Sequence, residues 1–206
     1  MITTAPRALR DPIAVAARVD LLAGDTPTAP LRDWSIDLAQ RRSAIVPHFD
    51  PTDAGVDARV LMLLEAPGPM TNAGNVRPGS GFISVDNDDQ TAENAWRART
   101  AAGLTSGVVQ WNIVPWYLGP ASKKPSASEL AQGAMELRGM LPLFPGLRAV
   151  VLSGRYAQLG WATHVEPFVG TDLAVINTWH PSAQSLNQPG KREQLGQALE
   201  RAARYV

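Results

Sequence analysis

Four short strand-like runs, each ended by a turn, limit the fold of this chain more than any other feature. Val60 to Leu64 (VLMLL) is uninterrupted and stops at Pro67-Gly68. VVQWNIV covers Val108 to Val114 and stops at Pro115, and Ala149 to Leu152 and Leu173 to Thr178 complete the set. Runs this short and apolar suit strands buried on both faces, the environment of a parallel sheet. The segments between them read as helices: Thr91 to Ala102, with Thr91 as N-cap and Glu93 in the first turn; a helix from Ser126 or Ser128 to about Leu141; Arg155 to Ala162; and Pro189 to Tyr205. This alternation predicts an α/β protein, a three-layer α/β/α fold with a central four-stranded parallel sheet.

Residues 1–58 add two helices, Pro12 to Ala23 and Trp34 to Val46 with Leu31 to Asp33 leading in, separated by the turn-forming GDTPTAP. The expectation is a single domain over residues 1–206 with this helical segment packed on it, since 206 residues suffice for one core. Hydrophobic residues make up 45% and charged residues 18%, as in globular proteins. No window approaches the ~18 apolar residues of a membrane span. The N-terminus has no basic stretch followed by an apolar one, so a cytoplasmic location is expected. With no cysteine the chain has no disulfide, thiolate zinc site or cysteine-held iron-sulfur cluster. Nineteen basic residues offset nineteen acidic ones, so any grip on a polyanion is local.

In a parallel α/β sheet the ligand sits at the carboxyl ends of the strands. Here those ends carry Glu65-Ala66-Pro67-Gly68, Asn112 to Trp116, Ser153-Gly154-Arg155 and Trp179-His180-Pro181-Ser182, which are expected to meet around one cleft. A long Gly, Asn and Pro-rich loop from Pro69 to about Gln90 has the length of a functional loop. The phosphate loop GxxxxGK[ST], the GxGxxG fingerprint and the HExxH zinc pair are all missing, which disfavours nucleotide hydrolysis, dinucleotide redox chemistry and that class of metal site. No metal or other cofactor is expected.

The segments LEAPGP, WNIVPWY and NTWHPSAQSLN, in that order and at strand ends, resemble the uracil-DNA glycosylase superfamily, closest to its family 4 type. LEAPG is similar to that type's GEAPG motif, with Leu64 replacing the first Gly. SGFIS resembles PFVG and implies that Phe82 stacks on the base. WNIVPW resembles NVLKCRP and implies that Asn112 reads it, and TWHPS resembles HPS or HPA and implies that His180 assists its departure. The similarity extends from about residue 59 to the C-terminus. It implies a monofunctional DNA glycosylase, acting as a monomer on uracil or a related deaminated base flipped out of DNA. Proteins of the family 4 type usually hold an iron-sulfur cluster through four cysteines. Packing must replace that cluster here, with Trp116 and Tyr117 as the filling side chains.

The chemistry gives each match physical content. Breaking an N-glycosidic bond leaves negative charge on the O2 of the departing pyrimidine, and a fixed imidazole donor beside O2 lowers that barrier. His180 suits this role, with Pro181 restricting its backbone; as a bland alternative it is a neutral histidine bonded to loop backbone. Asn112 can donate to O4 and accept from N3-H of uracil, where cytosine shows the opposite pattern; otherwise it caps a strand end. Phe82 stacks on the base or simply anchors a polar loop. Ala66 stands where better-known branches carry an Asp or Asn for water; Glu65 and Asp86 could each position water or stabilise the cationic sugar, and water is assigned to Asp86 and a framework role to Glu65. The readings set against these are a solvated loop for Asp86 and a backbone-bonded framework position for Glu65.

Ala66, Pro67, Gly68 and Ser182 are expected around the substrate. Arg77, Arg155, Lys191 and Arg192 are expected to contact the DNA backbone. Leu186, beside Gln184, is expected as an apolar wedge in the base stack. His48 and His164 are assigned to no site, and Met62, Met135 and Met140 are read as core-filling. Two readings of other classes stay open: a catalytically weak relative that binds DNA or a free base, and a hydrolase of nucleosides or other small molecules.

Overall fold

A computed structural model describes residues 3–76, 78–119, 123–170 and 172–206. Its centre is a four-stranded, all-parallel sheet of β2 (Val60–Leu64), β4 (Val108–Asn112), β5 (Ala149–Ser153) and β6 (Ala174–Thr178), in the order β4-β2-β5-β6. β2, β4 and β5 are buried along their whole length, which is why their sequences lack the alternation of a half-solvated strand.

One face of the sheet is covered by α3 (Gln90–Ala101) and α7 (Lys191–Ala203), the other by α4 (Ala127–Met140) and α5 (Arg155–His164). Side-chain alternation along the strands sorts the core accordingly. Val60, Met62 and Val151 join the α3/α7 core, and Leu61, Leu63 and Leu152 the α4/α5 core. The chain therefore has the expected α/β/α layers. Local chemistry sets the helix starts: Ser126 and Glu129 form a reciprocal capping box on α4, and Asp89, two residues before the expected Thr91, caps α3 by accepting from Ala92 N at 2.9 Å.

The N-terminal helices α1 (Pro12–Ala23) and α2 (Ala29–Arg42) precede a small parallel pairing of β1 (His48–Phe49) with β3 (Phe82–Ile83). Phe49 stacks on Trp111 of β4 with centroids 3.5 Å apart and planes 10° off parallel, and Trp34 meets both rings edge-on. Such a cluster carries the bulk of an aromatic core contact. The Arg42 guanidinium lies 3.9 Å over the Trp116 ring, and Tyr117 N donates to Ile45 O at 2.8 Å. The segment after β4 is thus tied to the N-terminal helices by packing and backbone bonding, with Trp116 in the core and Tyr117 half-buried. The chain has no cysteine to hold a cluster there.

In the loop before α3, read as a functional loop carrying Asp86, residues 82–88 are buried. Asp50 and Asp86 flank Arg18 of α1: its Nη1 donates to Asp50 and its Nη2 to Asp86 Oδ2 at 2.8 Å. Thr3 Oγ1 donates to the other Asp86 oxygen at 2.6 Å, and Ser84 Oγ donates to Asp50. Met135 departs from expectation, facing solvent on the outer side of α4, whereas Met62 and Met140 are fully buried.

Candidate functional site

The carboxyl ends of β2 and β4 and the loop after β6 open into a cavity of about 570 Å³. Its rim is Glu65-Ala66-Pro67-Gly68 with Lys123 and Lys124, its back is the start of α3, and its far wall carries His180, Ser182 and Gln184. Asn112 stands at the end of β4 opposite Leu64 of β2. It is 4% exposed, and its amide has no hydrogen-bonding partner among the described residues. An amide without a partner at a cavity wall is free to pair with water or a ligand there.

His180 is held from several sides. Gly154, with φ of +93°, lies against it so closely that a Cβ there would come within 2.8 Å of the His180 Cβ. Behind the loop, Asn94 of α3 donates from Nδ2 to Pro181 O at 2.8 Å. The Ser182 N–H donates to His180 Nδ1 at 3.2 Å, which makes Nδ1 the acceptor and leaves Nε2 to carry the hydrogen of the neutral ring. Burial of the ring, aided by the Lys124 cation, lowers the His180 pKa from 6.5 to about 4, so the imidazole is neutral at physiological pH. A neutral, fixed N–H is a donor suited to developing negative charge.

The other expected residues divide. Ala66, Pro67, Gly68, Ser182 and Gln184 line the cavity with His180 and Asn112, and so does Glu65, whose two oxygens accept from Lys124 Nζ at 3.0 and 3.1 Å. Asp86 is not in the lining. It is 1% exposed, and its two oxygens accept from Thr3 and Arg18 rather than facing the cavity. Phe82 is also absent from the lining: its buried ring is 6.3 Å from His48, and the next residue, Ile83, faces the cavity instead. Alternation along β3 explains the exchange, since neighbouring residues point to opposite faces. Leu186 does not stand out as a wedge. It closes the short helix α6 (Ala183–Leu186) at 4% exposure, packed with the α3/α7 core, while Gln184 is exposed.

On the surface, Arg155 begins α5 and is exposed, Lys191 Nζ lies 3.6 Å over the exposed Trp179 ring, and Arg192 Nη1 reaches Asn94 Oδ1 at 3.4 Å. Arg77 lies outside the described residues. Sequence reasoning missed Met70, Ile83, Ser84, Asn87 and Gln110 in the lining. The first four lie between β2 and α3, where only the two-residue β3 interrupts the loop and no strong local pattern shows. The polar Gln110 inside an otherwise apolar strand was the one usable signal.

The fold is a doubly wound parallel α/β sheet with a cavity at its strand ends, walled by a neutral imidazole and an unpaired amide, the place where such sheets bind their ligands. The chain belongs to the uracil DNA glycosylase superfamily, whose family model matches residues 52–203. No curated protein matches it. Among the described residues no helix is long and apolar enough to cross a membrane.

Proposed function

We propose that this protein is a monofunctional DNA glycosylase that hydrolyses the N-glycosidic bond of uracil or a related deaminated base flipped out of DNA. The observation that carries the reading is the pairing in one cavity of the neutral His180, whose Nε2 bears the hydrogen, with the unpartnered Asn112 amide. Asn112 takes the imide edge of uracil, donating to O4 and accepting from N3-H. His180 donates to O2 as the bond breaks and charge gathers there. Ile83 and Met70 supply apolar surface for the ring in place of Phe82.

Of the two carboxylates considered for water, Glu65 is the one at the cavity, and it takes that role once its contact with Lys124 is exchanged for substrate. Lys124 then turns to a phosphate. Arg155, Lys191 and Arg192 grip the flanking backbone. A second reading has its own support: Ala66 offers no polar side chain and Glu65 is paired, which suits a relative that binds a base without cleaving it.

Single-turnover incubation of stoichiometric protein with uracil-containing single- and double-stranded oligonucleotides separates the two. The glycosylase reading expects abasic sites that alkali converts to strand breaks; binding without abasic sites establishes the second reading in its place.

A further inference from the structure

Only one of the two edges of the central sheet is closed. At β4, the Gln110 N–H donates to Asp53 Oδ2 at 3.0 Å and Val108 O accepts from Ala54 N at 3.0 Å, so residues 53–54 cover that edge. β6 forms the other edge. Ala174 N donates to Arg148 O at 3.0 Å and Thr178 O accepts from Gly154 N at 2.9 Å, so Ala174, Ile176 and Thr178 turn their main-chain groups toward β5. Val175 and Asn177 therefore turn theirs outward, where no described residue bonds them. Both residues are exposed.

Beside this edge lies a groove of about 370 Å³, separate from the cavity described above and walled by Gln158 of α5, Asn177, Trp179, and Gln194, Gln197 and Arg201 of α7. No acid lines it, and Arg201 is exposed with no carboxylate partner among the described residues. A bare strand edge is a template for a further strand, and proteins that keep one empty guard it with charge or proline. β6 (AVINT) has neither. Its outward N–H and C=O groups match a peptide backbone, which brings donors and acceptors together, whereas a phosphate backbone brings acceptors alone. The free cation in the groove selects an acidic segment. A second copy of this chain fits less well, since its own β6 brings no acid to Arg201.

We propose that the β6 edge and its groove are a docking site for an extended, acidic segment of a partner protein, which adds to the sheet as a fifth strand through Val175 and Asn177 and sets a carboxylate against Arg201. Main-chain pairing supplies the attachment in such strand addition, and side-chain contacts supply the choice of sequence. Linear peptides of ten random residues, displayed on phage, are selected against the full-length protein, and the enriched sequences are synthesised and titrated. Binding is the readout and no cleavage is involved, so the result is independent of the glycosylase reading.

The enriched peptides are expected to carry an Asp or Glu. Val175→Pro removes an outward N–H while leaving the bonds to β5, and is expected to weaken binding by about tenfold or more; Val175→Thr, which keeps the N–H, retains it. Arg201→Gln is expected to cost roughly threefold, the size of an exposed ion pair, and to erase the preference for the acidic peptide over its amide counterpart. Melting temperatures establish that the variants are folded. Peptides N-methylated at alternate residues repeat the test on the wild-type protein: one alternate set abolishes binding and the other leaves it. A selection that enriches no peptide, binding unchanged in Val175→Pro, or equal tolerance of both N-methylated sets overturns the proposal. A peptide-free dimer in sedimentation that Val175→Pro dissociates assigns the edge to a second copy instead, and single-stranded DNA binding lost in Val175→Pro assigns it to nucleic acid; either result also overturns it.

Discussion

Two groups of buried polar side chains flank the loop before α3, and they are finished differently. Around Arg18, the carboxylate oxygens of Asp50 and Asp86 all receive donors from Arg18, Ser84, Thr52 or Thr3. Around Asn112 and Gln110, an amide and a carbonyl lack partners, although both residues are as well buried. The first group is closed and holds α1 to the loop. The second is left open at the wall of a cavity. Burial is alike in the two groups; what separates them is hydrogen bonding together with position at the cavity, since orphaned polar atoms such as Trp161 Nε1 and Ser153 Oγ also occur away from it.

Breaking the closed group has the largest expected effect. Arg18→Ala strands two buried carboxylates and is expected to cost about 3 to 5 kcal/mol, as for other buried pairs deprived of one partner. A urea titration measures it. Asp86→Asn is expected to destabilise as well, yet to retain cleavage where the protein is folded; a folded Asp86→Asn without activity would return Asp86 to the catalytic machinery and erase the distinction drawn here. On the open side, His180→Ala is expected to slow single-turnover cleavage by ~10² or more while changing the urea midpoint little. An unchanged rate would remove His180 from the mechanism.

Gly154→Ala tests the support of His180 without touching the ring. The added Cβ meets the His180 Cβ at 2.8 Å and occupies a φ of +93°, so displacement of the imidazole is expected to slow cleavage by roughly tenfold through misplaced geometry. A crystal structure of the variant with an undisplaced His180 would refute that route.

The lowered His180 pKa sets a smaller, pH-dependent effect. The ring is neutral in the folded protein down to about pH 4, whereas in the unfolded chain it takes up a proton below about pH 6.5. Its contribution to stability is complete above the unfolded value and is lost as pH falls through that window to the folded one. Wild type should therefore lose more melting temperature between pH 7 and about pH 4.5 than His180→Ala does, and calorimetry at the two pH values compares them. The smallest effect belongs to the rim: Arg155→Ala or Lys191→Ala should each lower the slope of log affinity against log salt by about one, with no change in base preference.

Much of the architecture was legible because it rests on local chemistry. The strand of VLMLL and the first helix were bounded to the residue, and the Ser126 capping signal marks the true start of α4. The candidate residues His180 and Asn112 were also legible as groups at the cleft, since one lies just past a strand and the other ends one, where the rule for parallel sheets places the cleft. The failures share one cause. Phe82 against Ile83 is a difference of one position, decided by a two-residue pairing between β1 and β3 that no pattern announces. Asp86 reads as a water-positioning acid, and nothing local shows that Arg18, 68 positions away, is brought against it. Leu186 is turned inward by the four-residue helix α6, too short to show a periodicity.

The sequence by itself determined the class of sheet, the order of its helices and the short list of chemical groups at the strand ends, because hydrophobic runs, caps and turn residues act over a few neighbours. Only the tertiary structure decided which polar groups were satisfied and which were left open. A hydrogen bond is completed by whichever partner the fold delivers, and in this protein those partners come from α1, α3 and the loops of distant strands.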